Sequence, residues 1–136
     1  MFNRQDVESR LSKLDGSKSI GVDLVHPLVL KNCSSAISHP LYLIYKKSIE
    51  TGTLPDAWKE ANVTAIFKKG SILKSSNYRP VSLTSIPCKI LERIIADHII
   101  KHLIANKILC EEQHGFMKGK SCTTNLLEYI DILTAA

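Results

Sequence analysis

The residues best suited to chemistry are cations in a stretch that has no acids. Between Glu60 and Glu92 the chain has five basic residues and no acidic one. The whole 136-residue chain has a formal net charge of +5. Lys offers a point charge and Arg a planar fork that matches phosphate oxygens. The stretch favours polyanions such as nucleic acid, nucleotide phosphates or an acidic membrane, although a solvated turn is the simpler interpretation from charge alone. The cations are Lys68, Lys69, Lys74, Arg79 and Lys89.

Five other side chains are compatible with zinc. His98 and His102 are four residues apart and share a face of a predicted helix, and Cys110, His114 and Cys122 follow. Their spacings fit no established zinc pattern. Packing and hydrogen bonding explain them more simply, so we predict no metal ligand.

Motifs for nucleophilic or nucleotide-hydrolysing chemistry are absent from the sequence. It has no G-x-S-x-G or H-E-x-x-H, and GFMKGKS at 115–121 has three residues between its glycines where a phosphate-binding loop has four. Mg²⁺ chemistry needs converging carboxylates. No such pair is evident among Asp97, Glu111, Glu112, Glu128 and Asp131, so we nominate no catalytic residue.

The elements that carry these residues follow from hydrophobic periodicity and turn chemistry. Before residue 60 we expect a helix over 4–15 capped by Gly16, a polar loop over 17–23, two helical pieces opened by Pro27 and Pro40 and ending at Gly52, and one helical turn within 53–58.

After residue 60 the period changes from helical to alternating. Strands over 61–68 and 78–84 form a predicted hairpin arm of about 25 Å. Ser85 caps a helix over about 86–106, whose apolar residues cover most of its circumference and predict burial on more than one side. A loop over 108–121 and a last helix from about Thr123 to the terminus complete the chain. The predicted class is α+β, mostly helical with one β-hairpin.

Composition is that of one globular domain, with 44% hydrophobic and 23% charged residues. No apolar run is long enough to span a bilayer, and the N-terminus lacks the apolar stretch of a signal peptide. The four cysteines have no close spacing and are interpreted as reduced thiols. We therefore expect an intracellular protein with no membrane partner.

Several ordered motifs resemble one family. NYRPVSLTS at 77–85 is similar to the fingers motif of reverse transcriptases from non-LTR (LINE-type, jockey-like) retrotransposons. In the same order, KSIGVD at 18–23, LPDAWK at 54–59, IFKKG at 66–70, CKILERII at 88–95, QHGF at 113–116 and GKSCTTNLL at 119–127 resemble elements of that family. The match runs from about Val7 to the end of the chain.

The resemblance implies a partial right-hand polymerase, with fingers and the first palm helix. In this family the hairpin closes over the incoming deoxynucleoside triphosphate, which assigns triphosphate contacts to Lys68 and Arg79 and the shaping of the turn to Asn77 and Tyr78. It also implies contacts to RNA template and DNA primer, with less warrant at Lys13 and Lys18. The loop residues expected beside template and primer are Gln113, Phe116, Lys118 and Lys120, and Lys69 joins them from the hairpin.

Two features depart from the family pattern. Val22 stands where the family has proline and Leu24 where it has glycine, which puts the conformation of that loop in question. The catalytic aspartates, which would hold Mg²⁺ in the intact polymerase, belong to later palm elements, and Asp131 lies in a helix, outside the strand context required. Residues 1–136 are thus expected to form a partial reverse transcriptase domain that is inactive alone, in nucleus or cytoplasm. A non-catalytic nucleic-acid-binding module and an inactive transposon relic are the alternatives.

Overall fold

The computed structural model describes residues 2–110, 112–115, 117 and 119–135. It confirms a mixed α+β fold in which helices dominate and two strands form a hairpin. The chain divides into two compact units, Met1–Ala96 and Asp97–Ala136. The elements are α1 (Arg4–Ser12), α2 (Pro27–Asn32), α3 (Ser34–Thr51), β1 (Ala61–Phe67), β2 (Tyr78–Thr84), α4 (Ile86–Ala105) and α5 (Cys122–Thr134), with single 3₁₀ turns at Asp56–Trp58 and Ser75–Asn77.

Helix α1 packs against α2 and α3 to begin the core of the first unit. Its start is closed by a capping box, in which Asn3 and Asp6 each accept a hydrogen bond from the other's backbone N–H. Arg4 then donates to the hydroxyl of the fully buried Ser38 at 3.1 Å. The core comprises Phe2, Val7, Leu11, Leu30, Leu41, Tyr45, Ile86, Ile90, Leu91 and Ile94.

Tyr45 is the central side chain of this core. It is fully buried, and its hydroxyl donates to the carbonyl of Pro87 at 2.8 Å. The rings of Phe2 and Trp58 lie 6.4 and 5.6 Å from its ring. Burial, followed by the nearby Cys88, raises the pKa of Tyr45 far above its usual range, so the phenol stays protonated and able to donate.

The loop over 17–23 packs against the junction of β2 and α4. A Cβ on Gly21 would lie 2.6 Å from the carbonyl oxygen of Thr84 and 2.8 Å from the Cα of Ser85. Only a residue without a side chain permits this approach. Ser85 in turn caps α4, accepting a hydrogen bond from the N–H of Cys88 at 3.3 Å.

Predicted helix ends differ from the structure at two places. Helix α1 ends at Ser12, so Gly16 is not its cap. Pro40 does not open a helix, because α3 begins at Ser34 and contains Pro40 in its interior. Proline has no N–H, so the helical hydrogen bond to the carbonyl of Ala36 is missing. Burial of the α3 face offsets this loss. Pro27 at the start of α2 and Gly52 with φ 65° after α3 are as predicted.

Helix α4 confirms its predicted start and end but not its burial throughout. Ile86, Pro87, Cys88, Ile90, Leu91 and Ile94 are buried, while Ile99 and Ile104 are each 53% exposed. Among the described residues, the hydrophobic core cluster has no member after Ile94. No helix in the described part of the chain is both long and apolar enough to cross a membrane.

In the second unit the turn after α4 is closed by main-chain bonds. Ile108 donates to the carbonyl of Leu103 at 2.9 Å and Lys107 to that of Ile104 at 3.0 Å. This is the Schellman pattern, with Lys107 at φ 51° where glycine is usual. Helix α5 begins with a second capping box, formed by Ser121 and Thr124.

The family's glycine position in the first loop generates a stability prediction. Leu24 has φ 56° and is 73% exposed, so it bears left-handed strain and buries little apolar surface. A left-handed conformation destabilises an L-residue by about 1–2 kcal/mol. Glycine avoids this cost, but its greater freedom in the unfolded chain lowers the stability by about 0.5–1 kcal/mol. We expect Leu24→Gly to raise the free energy of unfolding by about 0.5–1 kcal/mol in urea titrations followed by circular dichroism. The control, Leu24→Ala, keeps a Cβ and should give no gain; a glycine variant less stable than the alanine variant would contradict the explanation.

Candidate nucleotide and nucleic-acid interface

The hairpin register brings two cations to one face near the loop that joins the strands. Ile66 pairs with Arg79 in the antiparallel ladder, and the N–H of Lys68 donates to the carbonyl of Asn77 at 2.8 Å, which extends the pairing by one step. Opposite residues, and every second residue along a strand, share a face. Lys68 and Arg79 are therefore diagonal neighbours on that face.

The loop joining the strands is held by the side chain of Asn77. Its Nδ2 donates to the carbonyl of Ser71 at 2.7 Å. Gly70, at φ 91°, lies so close that a Cβ there would be 2.8 Å from this nitrogen. The turn thus depends on glycine at one end and on an amide at the other.

Tyr78, the first residue of β2, holds the same loop from the residue next to Asn77. Its hydroxyl donates to the carbonyl of Ile72 at 2.9 Å, and its ring stacks edge-on with Phe67 at 5.4 Å. The polar atoms that bond the loop are therefore occupied in both Asn77 and Tyr78. This geometry is better suited to positioning the loop than to direct contact with a ligand.

The hairpin carries positive charge without local neutralisation by acids in its sequence. Lys68, Lys69, Lys74 and Arg79 are all exposed, and residues 61–84 include no Asp or Glu. Lys89, the fifth cation of the acid-free stretch, belongs to α4 and not to the hairpin. The surplus charge is consequently divided between two surfaces.

The loop before α5 lies in the second unit. Gln113 is exposed and donates through Nε2 to the carbonyl of Gly115 at 3.1 Å. Lys120 is half-buried, and its charge helps to lower the pKa of Glu112, after hydrogen bonds from the backbone of Glu112 and from Cys110. Phe116 and Lys118, the other two residues expected here, lie outside the described residues.

His114 is a structural residue that the sequence did not single out for this role. Its side chain is 6% exposed, and its Nε2 lies 3.1 Å from a carboxylate oxygen of Glu128 in α5. Its Nδ1 lies 2.9 Å from the carbonyl of Glu112. The ring therefore ties the loop to the helix that follows it.

The zinc candidates do not assemble. Across the described residues, no group of three or more His, Cys, Asp or Glu side chains could hold a metal ion. His102 contacts Asn106, and Cys110 and Cys122 are exposed free thiols.

Comparison with known proteins identifies relatives of this chain. No protein-family profile matches the chain. The probable RNA-directed DNA polymerase from transposon BS of Drosophila melanogaster is 32% identical over 118 residues, 86% of this chain. The RNA-directed DNA polymerase from mobile element jockey of the same species is 29% identical over 82% of the chain. The probable RNA-directed DNA polymerase from transposon X-element is 28% identical over 98%.

These matches relate the chain to a segment of the RNA-directed DNA polymerases of transposable elements. Within that class it matches non-LTR, jockey-like retrotransposons, which confirms the resemblance read from its motifs. The chain spans only 13%, 12% and 15% of the lengths of these three relatives.

The sequence singled out Lys13, Lys18 and Lys89, but not that they form one basic surface with Arg10 and Arg93. Arg10 and Lys13 are three residues apart on and just after α1, and Lys89 and Arg93 are four apart on α4, so each pair shares a helix face. That spacing was the available signal. The structure brings both pairs to one cavity with Lys18, a surface named here the basic groove.

The His114 contacts predict the stability of the loop over 107–121. We expect His114→Ala to increase the rate of limited proteolysis within this loop, because removing a buried, hydrogen-bonded group costs about 1 kcal/mol or more, equivalent to about five-fold in local opening. Gln113→Ala is the control, since Gln113 is exposed and bonds only within the loop. Equal cleavage rates in both variants would show that the ring does not hold the loop.

Proposed function

We propose that this chain is the fingers region and first palm helix of a retrotransposon RNA-directed DNA polymerase, and that its hairpin binds the incoming deoxynucleoside triphosphate. The observation that carries the proposal is the juxtaposition of Lys68 and Arg79 on one hairpin face. The relatives' names supply the polymerase activity, which belongs to proteins much longer than this chain.

The chemistry of the two cations fits a triphosphate. A guanidinium can bond two phosphate oxygens at once, while an ammonium adds charge with little directional demand. Both side chains are exposed, so neither must leave a buried site to reach a ligand. The hairpin sequence contains no Asp or Glu. No carboxylate in it therefore weakens the attraction of the two cations for phosphate.

Asn77 and Tyr78 serve the same site indirectly. Their bonds to the carbonyls of Ser71 and Ile72 restrict the loop between the strands. A restricted loop loses less conformational freedom when a ligand binds. In this proposal they are positioning residues, and the direct triphosphate contacts belong to Lys68 and Arg79.

Template and primer contacts are assigned to exposed or half-exposed polar groups. Lys69 on the hairpin and Gln113 and Lys120 before α5 would contact the nucleic-acid backbone, with Lys118 and Phe116 beside them in the sequence. Such contacts position a strand without reading its sequence. Lys120 would exchange its interaction with Glu112 for one with a phosphate.

Magnesium belongs to the reaction of the intact polymerase. Two Mg²⁺ ions held by carboxylates would activate the primer hydroxyl and stabilise the leaving phosphate. Among the described residues, no group of three or more His, Cys, Asp or Glu side chains could hold a metal ion. The proposal for this chain concerns the binding of nucleotide and nucleic acid.

Arg79 provides the test of the nucleotide site. With a fluorescent dATP analogue as the probe, we expect Arg79→Ala to weaken binding at least about ten-fold, because a charge-assisted hydrogen bond is lost. Arg79→Lys should fall between the two, since it keeps the charge and loses the fork. Fluorescence anisotropy titrations measure all three proteins.

Lys47→Ala is the matched control. Lys47 is an exposed cation on α3, far along the chain from the hairpin, and its loss removes the same charge. Affinity within about two-fold of the parent is expected for it. An Arg79→Ala variant that binds as well as the control would refute the nucleotide site, and binding of oligonucleotides alone would leave a nucleic-acid-binding module.

A further inference from the structure

Two serines of the first unit follow a pair of adjacent lysines. Ser48 comes directly after the lysines at 46–47, and Ser71 comes one glycine after those at 68–69. Basic residues ahead of a serine are the pattern that serine kinases with an acidic substrate groove recognise. Ser48 lies within α3 and is only 8% exposed, whereas Ser71 is exposed in the loop that joins β1 and β2. Of these two serines, the structure therefore leaves Ser71 open to such an enzyme.

The backbone around Ser71 keeps its hydroxyl available. Residues 69–74 form neither helix nor strand, so this segment can become extended without unpairing the hairpin. The carbonyl of Ser71 accepts hydrogen bonds from Nδ2 of Asn77 at 2.7 Å and from the N–H of Lys74 at 3.2 Å. Its Oγ accepts one from the N–H of Leu73 at 3.3 Å. The turn thus uses the carbonyl and a lone pair of the hydroxyl oxygen, and not the O–H bond that a phosphoryl transfer breaks.

A phosphoryl group on Ser71 would stand among cations. Ser71 bonds Asn77, whose own carbonyl accepts from the N–H of Lys68 at 2.8 Å, so Ser71 and Lys68 lie at the same end of the hairpin. The group carries a charge of about −1.5 to −2 at pH 7 and three strong acceptor oxygens. Cations that suit a triphosphate suit this group for the same reason. The exposed cations of the hairpin are Lys68, Lys69, Lys74 and Arg79.

We propose that Ser71 is a phosphorylation site for a basic-directed serine kinase, and that its phosphoryl group engages the hairpin cations and weakens nucleotide binding there. In the transfer, Oγ of Ser71 bonds to the γ-phosphorus of ATP as the bond to the β-phosphate oxygen breaks. ADP leaves, and the hydroxyl proton passes to a base of the kinase. The effect on nucleotide binding rests on the proposed function, whereas the modification site rests on the exposure and charge of the loop.

Incubation of the chain with cyclic-AMP-dependent protein kinase and Mg²⁺-ATP tests the modification site. We expect one phosphoryl group per chain by intact mass spectrometry, assigned to Ser71 by peptide fragmentation. Ser71→Ala should abolish incorporation, and the matched control Ser48→Ala should leave it unchanged because Ser48 is buried. Lys68→Ala with Lys69→Ala should slow it about ten-fold, since the acidic groove loses two opposite charges. No incorporation into the parent chain, or equal incorporation into Ser71→Ala, would overturn the proposal.

The phosphorylated chain is next titrated with the fluorescent dATP analogue. We expect binding about ten-fold weaker than that of the parent near 0.1 M salt, because the phosphoryl group repels the triphosphate and holds its cations. The difference should shrink as salt rises, since exposed charges are screened. Ser9→Glu adds a carboxylate at an exposed serine of α1 and should change affinity by less than about two-fold. Equal affinities of the phosphorylated and parent chains would refute the effect on nucleotide binding.

Phosphorus NMR separates this inference from the nucleotide site. The second pKa of the phosphoryl group should lie below its ordinary value of about 6, because the hairpin cations favour the dianion. Arg79→Ala should return it toward that value, and Lys47→Ala should not. If the pKa is lowered but the parent fails to bind the dATP analogue, the phosphoryl site stands and the nucleotide site falls. If Arg79→Ala loses nucleotide affinity while phosphorylation changes neither affinity nor this pKa, the nucleotide site stands and the inference falls.

Discussion

Gly21 and Tyr45 meet the junction of β2 and α4 from two different segments of the chain. The backbone at Gly21 lies against Thr84 too closely for any side chain, and the hydroxyl of Tyr45 bonds the carbonyl of Pro87 inside the core. The hairpin buries few side chains of its own along either strand. Its orientation on the helices of the first unit therefore depends on this junction, and so does the direction in which its cations are presented.

The same junction separates two positive surfaces. Before it, the hairpin carries exposed cations around the pair Lys68 and Arg79; after it, Lys89 and Arg93 on α4 line the basic groove. A run without acids in the sequence thus becomes two surfaces of different shape. One is an exposed strand face, and the other is a cleft with an apolar floor.

Local chemistry made the hairpin, the Ser85 cap of α4 and the Gly52 end of α3 predictable, because alternation, capping hydroxyls and left-handed glycines act over a few residues. The interior place of Pro40 was not predictable, since the packing of α3 outweighs a local preference. The basic groove was not predictable from the sequence for a related reason. Residues of α1 and α4, which are distant in sequence, line one cavity only in the folded chain.

The proposed binding of a triphosphate at the hairpin is tested most directly by two-dimensional NMR of the ¹⁵N-labelled chain, titrated with a deoxynucleoside triphosphate. The triphosphate should shift amide signals of the hairpin, around Lys68 and Arg79. No shift at the hairpin amides, or shifts of equal size throughout the first unit, would contradict the proposed nucleotide site.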